Sequence, residues 1–224
     1  MQPLRMLLEK PISEDLEYII EESNNRSERS VFIKGPFLMA GKPNLNERVY
    51  DLNEMVSEVG RYMREFVSCN RALGELNHPQ ESVEVDLGRA CHMVVSLEQK
   101  DNIFMGKSKV LSTPTGSVLK QLISDGIKVG ISSRALGQLV AEGAHKKVKN
   151  LKLLALDIVH TPSYTDAMLE SVMESRQYII TEGGKIVELA CDSLECKLNQ
   201  IPKKDVNVHL QEAFASFINQ LKGK

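Results

Sequence analysis

The spacing of apolar positions changes period several times along the chain. Over 51–73, Leu52, Met55, Val56, Val59, Met63, Phe66 and Val67 recur three and four residues apart, which gathers them near one helical face. Asp51 stands at the N-cap of that helix, and Glu54 follows at the spacing of a capping box. Helical spacing also runs through EDLEYIIEES (14–23), TGSVLKQLISDG (115–126), SYTDAMLESVMES (163–175) and DVNVHLQEAFASFINQLKG (205–223). SVFIKGPFLMAG (30–41) alternates around a Gly-Pro break and predicts a bent strand. VEVDL, ACHMVVSLEQ, FMGKSKVLST, IKVGISS and NLKLLALDIVHTP are short apolar or β-branched runs stopped by Gly, Asp, Asn or Pro, and predict strands. RQYIITEGGKIVEL (176–189) predicts a hairpin about Gly183-Gly184. SNNRSERS (23–30) and GKPNLNERVY (41–50) carry linker and turn chemistry.

Strands thus cluster in the middle with helices around them. This predicts an α+β fold with a mainly antiparallel sheet or small barrel rather than a βαβ alternation. The expected organisation is an N-terminal helical arm and linker (1–29), a core (30–190) and a C-terminal helical segment (191–224).

Charge and composition narrow the function. Twenty-eight Lys and Arg against 30 Asp and Glu leave a net charge of −2, which argues against a nucleic-acid partner. The absence of Trp and an aromatic share of 5% argue against a base-stacking platform. Runs such as LKLLALDIV (151–159) are too short and interrupted to predict a membrane span, and the acidic N-terminal stretch does not read as a secretory signal. Cys69, Cys91, Cys191 and Cys196 form no C-x-x-C pair, so reduced thiols are expected and no metal or cofactor. His78, Cys91 and His92 sketch a weaker, metal-dependent alternative.

Two stretches carry candidate chemistry: GELNHP (74–79) and GISSRALG (130–137). A Ser hydroxyl attacks a carbonyl only with a base in hydrogen-bond reach, and a third group must hold that base in its tautomer. His78 is the candidate base, aimed by the restriction that Pro79 places on the residue before it. Ser132 ends a short apolar strand, with Ser133 as its rival. Gly130 and the amides after it could donate to a developing oxyanion, and Arg134 could brace the loop or add positive charge. GISSR is not the G-x-S-x-G elbow of the α/β-hydrolases.

Together these stretches resemble the procapsid, or prohead core, maturation serine proteases of T-even-type tailed phages. Asn46–Tyr50 resembles that family's Asn/Arg/Tyr turn before a long helix, and the segment from Leu156 to Ser163, with Asp166 and Ala167, resembles its Asp-x-Val-x-x-Pro-Ser segment. The resemblance runs from about residue 30 to 170. It implies a β-barrel-like core flanked by helices, similar to the herpesvirus capsid-assembly proteases. It implies an endopeptidase inside the procapsid, assembled in the host cytoplasm, that cleaves scaffold or core proteins, the major capsid protein precursor and itself. A homo-oligomer is a further possibility, and a catalytically inactive, structural head protein with a protease-like fold is the alternative.

By the same resemblance Ser132 matches the nucleophile, His78 the general base and Asp157 the third member, with Glu75, Asp86 and His92 as alternatives. His92 stands out because herpesvirus-type enzymes use a second His, although here it precedes the Ser. Ala135 departs from the Gly that often follows SSR in the family. The family cleaves after Glu in the pattern Leu or Ile, any residue, Glu. Leu7-Leu8-Glu9 and Leu210-Gln211-Glu212 are therefore expected self-processing sites, with Arg134, Lys107 and Lys109 as candidates for the basic group that receives the Glu.

Overall fold

The computed structural model describes residues 4–9, 16–22, 29–44, 46–79, 82–160, 177–181 and 183–188. The chain divides into two compact units, one of Leu7–Ser163 and one of Met1–Met6 with Tyr164–Lys224. This division does not coincide with the expected boundaries at 29 and 190. The helices expected over 163–175 and 205–223, the second Leu-x-Glu triplet ending at Glu212, and Cys191 and Cys196 lie outside the described residues.

In the smaller unit, β10 (Gln177–Ile180) and β11 (Ile186–Glu188) form the antiparallel hairpin that the Gly-Gly pair predicted, with Gly184 at φ 76°. Leu4 of β1 (Leu4–Leu8) pairs with Tyr178.

The larger unit holds two sheets. One has the order β2 (Glu17–Glu22), β3 (Arg29–Met39), β7 (Ile103–Val110), β6 (Ala90–Lys100), β5 (Leu73–Glu75), all antiparallel. The second contains β8 (Gly130–Glu142) and β9 (His145–Val159), a long antiparallel hairpin, with the short β4 (Arg48–Tyr50) parallel to β9. The fold is α+β, but among the described residues the strands form open sheets and no closed barrel. Leu7, Ile33, Phe37, Tyr62, Phe104, Ile131, Leu156 and Ile158, each at most 2% exposed, belong to one apolar core in this unit.

Local expectations hold or fail for identifiable reasons. Helix α1 (Leu52–Tyr62) starts at Asp51, whose carboxylate accepts the amides of Asn53 and Glu54, and continues as a π-helical turn over Met63–Val67. The capping box does not close: Glu54 instead accepts the Leu151 amide at 2.7 Å, and Glu58 accepts that of Leu153 at 2.6 Å. Helix side chains thereby satisfy donors along β9. Helix α2 (Pro114–Ser124) follows the pattern, capped by Thr113. Within the stretch 14–23, residues 17–22 are not helical: they pair with β3 from Glu17↔Lys34 to Glu22↔Arg29. The β-branched pair Ile19-Ile20 favours a strand, and a partner strand overrides a weak helical period. VEVDL is likewise no strand but the loop before β6.

One close approach fixes β5. A Cβ on Gly74 would lie 2.0 Å from the Leu156 carbonyl oxygen and 2.1 Å from Nε2 of His92. His92 is fully buried on β6, its Nδ1 3.0 Å from the Ser108 hydroxyl. Burial pushes its pKa down to about 4, against the opposing field of Asp157.

Two outcomes follow. Gly74→Ala should lose about 1–3 kcal/mol of stability by forcing β5 away from β9, read as a lowered urea midpoint. The His92 ring refuses in the fold a proton that it accepts at about 6.5 when unfolded, so its contribution to stability declines as pH falls from 6.5 towards 4. In urea titrations over that window, His92→Gln should flatten the decline by up to about 1.4 kcal/mol per pH unit.

Candidate active site

Strand register brings the two candidate stretches together. Ser132 on β8 and Asp157 on β9 are directly opposed partners, so their side chains leave the hairpin on one face. Ser133 is opposed to Leu156 and, by the two-residue period of a strand, turns to the other face. The chain after β5 passes β9 through a parallel bridge, Leu76↔Ile158, and the Asn77 amide donates to the Ile158 carbonyl at 2.7 Å. Asn77 has φ 63°, a conformation that Asn tolerates better than most residues. The turn it makes delivers His78 over the hairpin, with Pro79 buried behind.

His78 bridges the pair. Its Nδ1 lies 2.8 Å from Oδ2 of Asp157, and its Nε2 lies 2.7 Å from Oγ of Ser132. A carboxylate can only accept, so the proton belongs on Nδ1 and the lone pair of Nε2 faces the hydroxyl. Asp157 is fully buried. Burial alone would raise its pKa, but the His78 hydrogen bond, the Arg134 guanidinium and the Glu75 amide outweigh it and hold the carboxyl below its ordinary value. The arrangement can take a proton from the Ser132 hydroxyl while a fixed anion stabilises the imidazolium that results.

Arg134, two residues along β8 from Ser132, is also fully buried. Its Nε lies 3.1 Å from Oδ2 of Asp157, its Nη2 lies 3.0 Å from Oε1 of Glu75, and its Nη1 donates to the carbonyls of Ser82 and Glu84. Glu75 in turn accepts from Nε of Arg89 at 2.9 Å. Among the candidates for third member, then, Asp157 meets His78, and Glu75 meets the two arginines. The Asp86 carboxylate accepts the Gly88 amide, and His92 meets Ser108. Gly130 stands in the ladder opposite Val159. Ala135, opposite Leu153, is not one of the residues with positive φ. The metal-dependent alternative is not assembled: among the described residues no three His, Cys, Asp or Glu side chains gather as a metal site, and Cys91 contacts the Gly74 carbonyl.

The Ser132 hydroxyl has a second neighbour, the carbonyl oxygen of Glu9. The Glu9 amide donates to the Ser133 carbonyl at 3.1 Å, while Leu7 lies against Gly137, so the segment runs antiparallel to β8. The Glu9 carboxylate is buried in a cluster of donors. Asn44 and Asn46 donate to Oε2 at 2.6 and 2.9 Å, Arg48 donates to Oε1 at 3.1 Å, and the Tyr50 hydroxyl also meets Oε1. The basic group facing a glutamate is therefore Arg48. Arg134 is enclosed by its own carboxylates, and Lys107, which shares β7 with Lys109, lies over the Phe32 ring of β3. Sequence reasoning singled out the 46–50 turn and the Leu7-Leu8-Glu9 triplet but did not connect them. The concentration of hydrogen-bonding side chains in that turn was the available signal.

The chain has counterparts among known proteins. The chain is 33% identical over 142 residues to the prohead core protein protease of Enterobacteria phage T4, which covers 61% of this chain and 66%, just under two thirds, of that relative. The solved structure described as the bacteriophage T4 capsid assembly protease, gp21, matches with a TM-score of 0.65 at 29% identity, covering 71% of this chain and 99% of that one. The family model described as "prohead core protein serine protease" matches residues 5–177, which span β1, the relay of Ser132, His78 and Asp157, and the start of β10. The chain belongs to the prohead core protein serine protease family.

Proposed function

We propose that the protein is a serine endopeptidase of phage head maturation. It works inside the procapsid, cleaves scaffold or core proteins and the major capsid protein precursor after Glu, and processes its own N-terminus. The observation that carries this reading is the unbroken relay from Asp157 through His78 to Ser132, with a peptide carbonyl at the end of it.

In this reading Ser132 Oγ attacks the carbonyl carbon while its proton passes to Nε2 of His78. His78 then gives that proton to the departing amine, leaving an ester on Ser132. Water attacks the ester with His78 again as base and releases the carboxylate product. Asp157, kept ionised by the His78 hydrogen bond and by Arg134, steadies the imidazolium in both halves. The first peptide bond presented to this machinery is the one joining Glu9 to Lys10.

Peptide cleavage read by mass spectrometry tests the proposal. The full-length chain should shed the residues up to Glu9 and cut Leu-x-Glu peptides after Glu. Ser132→Ala and His78→Ala should each lower the rate by about 10⁴-fold or more. Ser133→Ala should retain most of it. A folded wild-type chain that cuts neither itself nor such peptides would point to the inactive, structural alternative.

A further inference from the structure

We propose that the Asn44–Tyr50 turn is the specificity element of this site, and that it grips a glutamate side chain and the carbonyl preceding it with the same donors. The proposal rests on the endopeptidase reading and deepens it.

The turn is organised around its own hydrogen bonds. The Asn44 side-chain oxygen accepts the amides of Asn46 and Arg48 at 2.9 and 3.0 Å, and the Asn44 amide donates to the Arg48 carbonyl at 2.9 Å. The Asn44 side chain and the backbone that carries the Asn46 and Arg48 donors therefore stand in place, which lowers the entropy cost of gathering them around a ligand. Four of them converge on the Glu9 carboxylate, two on each oxygen. Glu9, Arg48 and Tyr50 are 7%, 4% and 5% exposed, so on the Oε1 side each missing bond is expensive. Glutamine would turn an NH₂ group towards donors. Aspartate is shorter by one methylene and could not reach both pairs.

Two of the donors do double duty. Nη1 of Arg48 reaches Oε1 of Glu9 and also the Leu8 carbonyl at 3.2 Å. Nδ2 of Asn46 reaches Oε2 of Glu9 and also the Leu8 carbonyl at 3.1 Å. The groups that identify the side chain thus hold the main chain that carries the carbonyl at Ser132. A wrong side chain loosens the reacting bond as well as the binding, so discrimination enters kcat and not KM alone.

A third contact completes the selection. Leu7 falls on the same side of the strand as Glu9, and its Cδ1 would lie 2.8 Å from a Cβ on Gly137. The missing side chain at Gly137 makes the seat for an apolar residue two positions before the glutamate.

The test compares a peptide of this chain's residues 4–16 with its Glu9→Gln and Leu7→Ala versions, using the full-length enzyme. Wild type should favour Glu over Gln by about 100-fold or more in kcat/KM. Tyr50→Phe, which keeps the ring, should shrink that ratio at least tenfold. Arg48→Gln should shrink it and lower kcat, and Gly137→Val should abolish the preference for Leu7. An unchanged Glu/Gln ratio in a folded Tyr50→Phe enzyme overturns the proposal. A second readout needs no turnover: in the Ser132→Ala chain, Glu9→Gln or Tyr50→Phe should speed hydrogen exchange at the Glu9 amide, and unchanged exchange overturns it. Pocket-dependent protection in a chain whose wild type cleaves nothing would keep the pocket and remove the endopeptidase reading.

Discussion

The site depends on one buried cation. Arg134 is sealed from solvent between Glu75 and Asp157, which are equally sealed. Without it, two carboxylates would face each other in a low-dielectric space with only Arg89, on the Glu75 side, to offset them. Asp157 would then have less support as the fixed anion beside His78. The same guanidinium reaches the carbonyls of Ser82 and Glu84, and Glu75 lends its amide to Asp157, so the ion cluster ties β5, β8, β9 and the loop after His78 into one body. Losing one member of such a cluster costs about 3–5 kcal/mol, because the others stay buried without their counter-charge.

Much of this was legible in the residues. The heptad-like spacing of 51–67 and the cap at Asp51 specify α1, and the Gly-Gly pair specifies the turn of the last described hairpin, because both signals are local. What the sequence could not carry was pairing. Residues 17–22 look helical until β3 supplies a partner, and a capping Glu at position 54 is drawn to a β9 amide instead. The relay candidates were readable as residue types, since a His fixed by Pro and a Ser after a short apolar run are both suggestive, although Ser132 stands near the start of β8, which runs on to Glu142, and does not end a strand. Their meeting follows from the register Ser132↔Asp157, which periodicity alone does not reveal. Arg134 illustrates the gap best. A positive charge beside a Ser suggests substrate binding, and only the fold discloses the carboxylates on either side of it.

The His78 relay and the donors around Glu9 stand on different parts of the chain. The relay uses the β8–β9 hairpin and the loop after β5, whereas the glutamate is held by a turn around β4, whose strand pairs with β9 many residues from Asp157. A short turn stiffened by its own hydrogen bonds can change which side chain it accepts without disturbing the relay.

The strand leading to Glu9 is covalently attached to the fold that holds it, and this has a kinetic consequence. While the bond to Lys10 is intact, the segment stands at Ser132 at the effective concentration of a tethered group. No free peptide at a lower concentration displaces it easily. A cut after Glu9 would leave its contacts with Ser133 and the donor cluster in place but end that attachment. The departing strand would then be an ordinary product, and its residence would depend on dilution and on rivals nearby. Competing segments at high concentration would clear the place beside Ser132, and dilution of the chain alone would clear it by dissociation, at a pace set by the off-rate of one short peptide.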